Sequence, residues 1–220
     1  MAPASPEAES QGTAHGSVGG SAPARAARFG WAADLAGAWV FYSVLPLPPG
    51  VQPRFERIAR FAPWIGAVIG ALEALLWLLL AWLGADRLAQ VPLVIALGVW
   101  LSGGLHLDGA MDTADGLAAG PQRCLEAMDD SRVGASGVQA LLQLLLLRVS
   151  GLALLAAAAP WALLWAAVWG RLAPLLALHW FPYLRSSGGT AAFHRHHWRG
   201  LGAELLPALV LLVLLSVGSR

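Results

Sequence analysis

Asp108, Asp112 and Asp115 stand at i, i+4 and i+7 within Gly103-Gly104-Leu105-His106-Leu107-Asp108-Gly109-Ala110-Met111-Asp112-Thr113-Ala114-Asp115-Gly116-Leu117. On a helix the second and third are rotated from the first by roughly 40° and −20°, so all three project from one face. Three carboxylates on one face repel each other unless a cation joins them. The segment directly follows an apolar stretch long enough for a membrane helix. A divalent metal held by oxygen ligands at a membrane surface is the simplest resolution, and it points to phosphate chemistry.

The same loop has a second half, Arg123-Cys124-Leu125-Glu126-Ala127-Met128-Asp129-Asp130-Ser131-Arg132-Val133-Gly134. Glu126 and Asp130 are again i, i+4, and Arg132 follows at once. Acids beside an arginine suit a metal–phosphate site: the acids hold Mg²⁺ and the arginine neutralises remaining phosphate charge. Gly109 and Gly116 lack side chains and would let a phosphate ester approach the backbone. Acid pairs at i, i+4 are common on solvated helices. Three acids interleaved with two Asp-Gly pairs beside a membrane segment are rarer.

Other reactive-looking groups carry less. The spacing fits neither a zinc site nor a phosphate-binding Gly-rich loop, and no Ser-His-Asp arrangement is apparent. Phe193-His194-Arg195-His196-His197-Trp198-Arg199 has no thiolates, and adjacent His196 and His197 diverge on a helix. It reads as a basic juxtamembrane loop facing lipid phosphates or an anionic substrate. The single cysteine, Cys124, reads as a small loop residue, since nearby Asp129 and Asp130 disfavour a thiolate.

The elements that position these residues follow from composition. The chain is 57% hydrophobic and 12% charged, against about 25% charged in soluble domains. It has eleven Trp, and all fourteen of its basic residues are Arg. This is the balance of an all-α, polytopic integral membrane bundle. Long apolar segments run over about 61–84, 88–107, 137–159, 161–182 and 201–218, each near the ~20 residues a span needs. About five to six transmembrane helices are expected. The short connection near 159–161 predicts that its two neighbours pack antiparallel. Residues 31–45 are apolar but short and carry Asp34; interfacial, re-entrant and transmembrane readings all stay open. Residues 1–29, rich in Ala, Gly, Ser and Pro, read as a disordered tail before a membrane domain at 30–220.

Arginine sets the expected orientation. Loops 49–61, 106–136 and 183–200 fall on one side and hold Arg54, Arg57, Arg60, Arg123, Arg132, Arg185, Arg195 and Arg199. The opposite loops hold only Arg87, plus terminal Arg220. The positive-inside bias puts the acidic loop in the cytoplasm. Glu73, Arg148 and Arg171 lie inside apolar segments, where charge is costly and faces the bundle interior. Arg171 is placed to reach a bound phosphate. Arg148 either does the same or pairs with Glu73.

The two acidic motifs together resemble the signature of the cobalamin synthase (adenosylcobinamide-GDP ribazoletransferase) family, G-G-[LF]-H-x-D-G-L-A-D-T-x-D-G followed by L-E-I-M-[KR]-D-S-R-x-G. Phe41-Tyr42-Ser43-Val44-Leu45-Pro46-Leu47-Pro48 and Trp169-Gly170-Arg171 add to the match, which covers roughly residues 39–200. Ala110-Met111 replaces the pattern's Leu-Ala. Asp129 stands where the pattern has a basic residue, adding negative charge beside Asp130. One helix follows the histidine cluster, where relatives often continue.

The resemblance implies a Mg²⁺-dependent transferase of the bacterial inner membrane. It would join adenosylcobinamide-GDP to α-ribazole or its 5′-phosphate and release GMP. Asp108, Asp112 and Asp115 are then expected to bind metal, with Asp130 completing the site or binding a second ion, and Glu126 as a further ligand or as a partner of one. Asp115 or Asp130 accepts the hydroxyl proton. Arg132 and Arg171 bind phosphate, beside Gly109, Gly116 and His106. The implied partners are the two substrates and membrane lipid, with no nucleic acid; a homo-oligomer or association with other corrinoid-assembly enzymes stays open. CDP-alcohol phosphotransferases and membrane prenyltransferases are enzymatic rivals, but the Ala-Arg of the former and the Asn-Asp of the latter are missing. A transporter would place its acids at mid-membrane rather than at one edge.

Overall fold

Each apolar segment ends where its sequence stops supporting a helix. The computed structural model describes residues 30–185 and 188–218, so the 1–29 tail lies outside the described residues. Among the described residues the regular structure is helical: α1 (Gly30–Tyr42), α2 (Ala62–Trp82), α3 (Arg87–Leu101), α4 (Leu105–Ala118), α5 (Cys124–Asp129), α6 (Ala135–Leu155), α7 (Ala159–Trp180), α8 (Thr190–His196) and α9 (Leu201–Gly218). The described residues from Trp31 onward form one compact unit. The all-helical membrane class therefore stands.

The number of spans differs from the expected five to six. By length and apolarity two helical runs among the described residues can cross a membrane, Ala59–Trp82 and the 46-residue Ala135–Trp180, whose halves α6 and α7 are each long enough to cross separately. The count rises to four if each bent pair, Arg87–Leu101 with Leu105–Ala118 and Thr190–His196 with Leu201–Val217, makes one span. The reason is local. The 15 residues of α3 reach only about 22 Å at 1.5 Å per residue, short of ~30 Å of hydrocarbon. Gly103 (φ 62°) and Gly104 (φ 74°) then adopt left-handed conformations and turn the chain by 87° into α4. The 13-residue α1 is also too short to span.

The core is built on α2 and α7, the most extensively packed pair. Side chains at Gly66 and Gly70 would collide with Ala167 and Leu164, so small residues let the two backbones close up. Trp77, Val94, Ile95, Leu152 and Leu163 fill one end, and Ala38, Ile58, Phe61, Ile65 and Leu101 the other. Leu75, Leu78, Leu79, Leu146, Leu147 and Leu154 point outward, a lipid-facing surface for a chain of this composition.

The run from α6 to α7 is interrupted at Ala156 (φ 50°). The two helices were expected as packed neighbours, but they make few contacts with one another. Gly151 on α6 and Ala162, Ala166, Ala167 and Gly170 on α7 leave space instead. A cavity of about 590 Å³ occupies it, walled also by α2, α3 and the first turns of α4.

Candidate active site

The three aspartates of α4 do not share one environment. Asp115 turns onto the start of α6. Its Oδ2 accepts from the Gly134 N–H and its Oδ1 from the Gly137 N–H, each at 2.8 Å. Gly134 is the N-cap residue of α6 and has no side chain to cap with, so a carboxylate from a neighbouring helix satisfies two of the orphan amides. A Cβ at either glycine would strike the Asp115 carboxylate, which explains glycine at both positions. Asp108 is exposed and Asp112 half-buried. Neither makes a hydrogen bond or ion pair among the described residues.

The second motif is bound up with arginine. The Asp130 carboxylate accepts from the Arg132 backbone N–H at 3.0 Å and from Arg132 Nη2 at 2.6 Å. These bonds to the charged form pull its pKa down to about 2. Arg132 is highly exposed, so it meets solvent on its free side. Glu126 lies 3.4 Å from Arg123, and both are open to solvent. Asp129, the departure from the family pattern, pairs with Arg185 from the loop after α7, which offsets its added charge. Asp129 is also the main reason that the Arg185 guanidinium is held more firmly charged than usual.

The glycines divide as well. Gly109 faces open space, leaving room beside Asp108. Gly116 is buried, and the place of its missing Cβ is taken by Met128 and the Cys124 carbonyl. Its role is the close packing of α4 on α5 rather than room for a phosphate ester. Cys124 Sγ sits 4.0 Å from Met128 Sδ in the same contact.

His106 and Arg171 lie away from the carboxylates. Together with Leu107 and Ala110, His106 lines the cavity from the face of α4 roughly opposite Asp108 and Asp112. Arg171 enters the same cavity from α7, where Nη1 donates to the Ala167 carbonyl at 3.1 Å. Arg148 reaches Glu73 at 3.5 Å across the cavity wall.

Among the described residues no three His, Cys, Asp or Glu side chains converge in a geometry that holds a metal. This covers the histidine segment too, where His194 is buried and His197 bonds the Phe193 carbonyl. The five acids expected to bind metal thus fall into a free pair, Asp108 and Asp112, and three engaged groups. Two features of the site lie outside the expectations drawn from the sequence. One is the capping bond of Asp115, whose signal is the Gly134-x-x-Gly137 start of a helix with no capping side chain. The other is Arg185, which no local motif marks.

The fold and these groups define a class: a helical membrane-type protein with a solvent-facing carboxylate helix beside an internal cationic cavity. The family model described as cobalamin-5-phosphate synthase matches residues 34–219, and the chain belongs to that family. An adenosylcobinamide-GDP ribazoletransferase of Prochlorococcus marinus (strain MIT 9313) is 62% identical over 188 residues, covering 85% of this chain and 72% of the relative. One from Synechocystis sp. (strain ATCC 27184 / PCC 6803 / Kazusa) is 42% identical over 86% of this chain and 74% of its own length. One from Trichormus variabilis (strain ATCC 29413 / PCC 7937) is 40% identical over 83% and 72%. No solved structure matches.

Proposed function

We propose that this protein is an adenosylcobinamide-GDP ribazoletransferase. A ribose hydroxyl of α-ribazole, or of its 5′-phosphate, attacks the cobinamide-side phosphorus of the diphosphate. The bond to the GMP oxygen breaks, GMP leaves, the hydroxyl proton passes to a base or to water, and the nucleotide loop is closed. The observation that carries this reading is the 62% identity over 85% of the chain to a relative bearing that name.

Mg²⁺ is the proposed cofactor. Magnesium is commonly held by one or two carboxylates and completed by substrate phosphates. Asp108 and Asp112, one turn apart and without partners among the described residues, supply such a set. Asp130 and Glu126 are close enough in sequence to join it once their arginines turn to the substrate. The metal would neutralise charge on the transferring phosphate. Arg132, with one side open to solvent, binds phosphate. Asp115 acts by positioning, since it ties α4 to the start of α6.

The two expected proton acceptors are both engaged elsewhere in these surroundings. Asp115 spends both oxygens on amides, and Asp130 has a carboxyl pKa of about 2. A loose phosphoryl-transfer transition state asks little of a base, so positioning and charge neutralisation carry most of the rate. We place the protein in the bacterial inner membrane with the acidic loop toward the cytoplasm, on the arginine asymmetry of its loops.

The test is GMP release from adenosylcobinamide-GDP by the full chain in detergent, with and without Mg²⁺ and α-ribazole 5′-phosphate. Release that needs both additions is expected. Turnover of a CDP-alcohol or prenyl diphosphate instead would reassign the carboxylates.

A further inference from the structure

The cavity between α6 and α7 has a polar set that the carboxylate helix does not use. Its walls are mostly aliphatic. Into them project one carboxylate, Glu73, and two guanidiniums, Arg148 and Arg171. Glu73 is 3% exposed and held in a notch at Gly98, where any side chain would collide with its carboxylate. It meets Arg148 in a single long contact of 3.5 Å. Arg171 is 7% exposed, and its Nε has no hydrogen-bond partner among the described residues.

A buried guanidinium with an unsatisfied N–H is expensive, and the aliphatic walls offer that N–H no acceptor. One carboxylate against two guanidiniums leaves one positive charge in excess. An anion that accepts from Arg171 and Arg148 would remove both costs. About 590 Å³ lies within the range of small-molecule pockets, and the aliphatic walls ask for an apolar body attached to that anion.

We infer that this cavity is a binding site for a single phosphate ester with an apolar or aromatic body, its phosphate held by Arg171 and Arg148 and its body by the aliphatic walls. It is distinct from the carboxylate face, which lies on the other side of α4. Two sources supply this chemistry. One is the acceptor substrate, an aromatic base on ribose phosphate, an assignment that rests on the proposed function. The other is an anionic phospholipid entering from the bilayer.

The experiment uses the full chain. Binding of α-ribazole 5′-phosphate is measured by calorimetry in phosphatidylcholine nanodiscs, without adenosylcobinamide-GDP or Mg²⁺. Retention of phosphatidylglycerol is measured by native mass spectrometry. Arg148→Gln and Arg171→Lys weaken the anion contacts. Gly151→Leu fills the cavity without touching a charge, at a position where a Cβ meets open space. Thermal unfolding checks that each variant is folded.

Saturable nucleotide binding, weakened at least tenfold in all three variants, supports the site with the substrate as its source. Phosphatidylglycerol retained by the wild type and lost from the variants, without nucleotide binding, supports it with lipid as the source. Binding of neither probe, or binding equal in wild type and all three variants, overturns it. Because no turnover is measured, GMP release that persists alongside that negative result would leave the proposed function standing and remove only this site.

Discussion

Two regions of this protein use carboxylates in opposite ways. Near α1, Asp34 is fully buried and takes Arg54 Nε and Arg60 Nη2 on its two oxygens, each at 2.5 Å. Close by, Glu204 of α9 is 3% exposed and holds Arg57 at 2.6 Å and the Arg199 backbone N–H at 3.3 Å. On α4, Asp108 and Asp112 stand at the surface with no partner among the described residues. A buried carboxylate survives only when its oxygens are satisfied, so the first pair is architecture. A carboxylate pair left unsatisfied at the surface costs little alone and is available to a cation. Three of the arginines that suggest orientation, Arg54, Arg57 and Arg60, thus also clamp α1 and α9 to the 49–61 loop.

The largest effect is expected at the buried cluster. Asp34→Asn leaves two guanidiniums facing a neutral amide and should cost about 3–5 kcal/mol of stability, as removal of one partner of a buried pair does. Thermal unfolding in detergent measures this, while turnover per folded molecule should stay near wild type. An unchanged unfolding midpoint would mean that the cluster is not structural.

The functional side should respond in reverse. Asp108→Asn and Asp112→Asn should each lower GMP release by about 100-fold or more, roughly 2.7 kcal/mol of transition-state stabilisation. Stability should move by less than about 0.5 kcal/mol, as for surface substitutions. Near-normal turnover in both would remove them from the site.

Asp115 lies between these extremes. Asp115→Ala strands the Gly134 and Gly137 amides and should cost about 1–2 kcal/mol, the usual cost of a lost helix cap. Asp115→Asn should cost less, because its remaining oxygen still accepts one amide. Equal stability of the two variants would contradict the capping role.

The smallest effect belongs to the exposed Asp130–Arg132 pair. The Asp130 pKa in the folded protein, about 2, lies below the unfolded value of about 3.9. Its stabilisation is therefore full above about pH 4 and lost as pH falls through about 2. Unfolding midpoints of wild type and Arg132→Gln should differ by a constant amount from about pH 5 to 8 and converge in acid. A difference that grows with acidity would reverse the sign of the interaction.

The sequence makes much of this legible for physical reasons. Apolar runs bounded by Gly and Pro place α2, α3, α6, α7 and α9, because burial in lipid needs continuous hydrophobicity. The two acidic motifs are legible because charge beside an apolar run is costly and therefore conspicuous. The division within the motif is not. Three aspartates at helical spacing look alike until Gly134 and Gly137 come from 19 and 22 residues away to claim one of them. Nor does spacing reveal that α3 stops short and bends at Gly103 and Gly104, or that small residues on α6 and α7 leave a cavity. Pairings such as Asp34 with Arg60, or Arg57 with Glu204, depend on tertiary contact and leave no local pattern.

Asp108 and Asp112 are the carboxylates proposed to be left free for a metal. Mn²⁺, as a paramagnetic stand-in for Mg²⁺, can be titrated by electron paramagnetic resonance into the full chain with adenosylcobinamide-GDP present. The wild type should bind Mn²⁺ with stoichiometric loss of the free-ion signal, and the Asp108→Asn/Asp112→Asn double variant should not, while unfolding at the same temperature. Equal Mn²⁺ binding by both proteins would exclude this pair as the metal ligands and move the metal elsewhere.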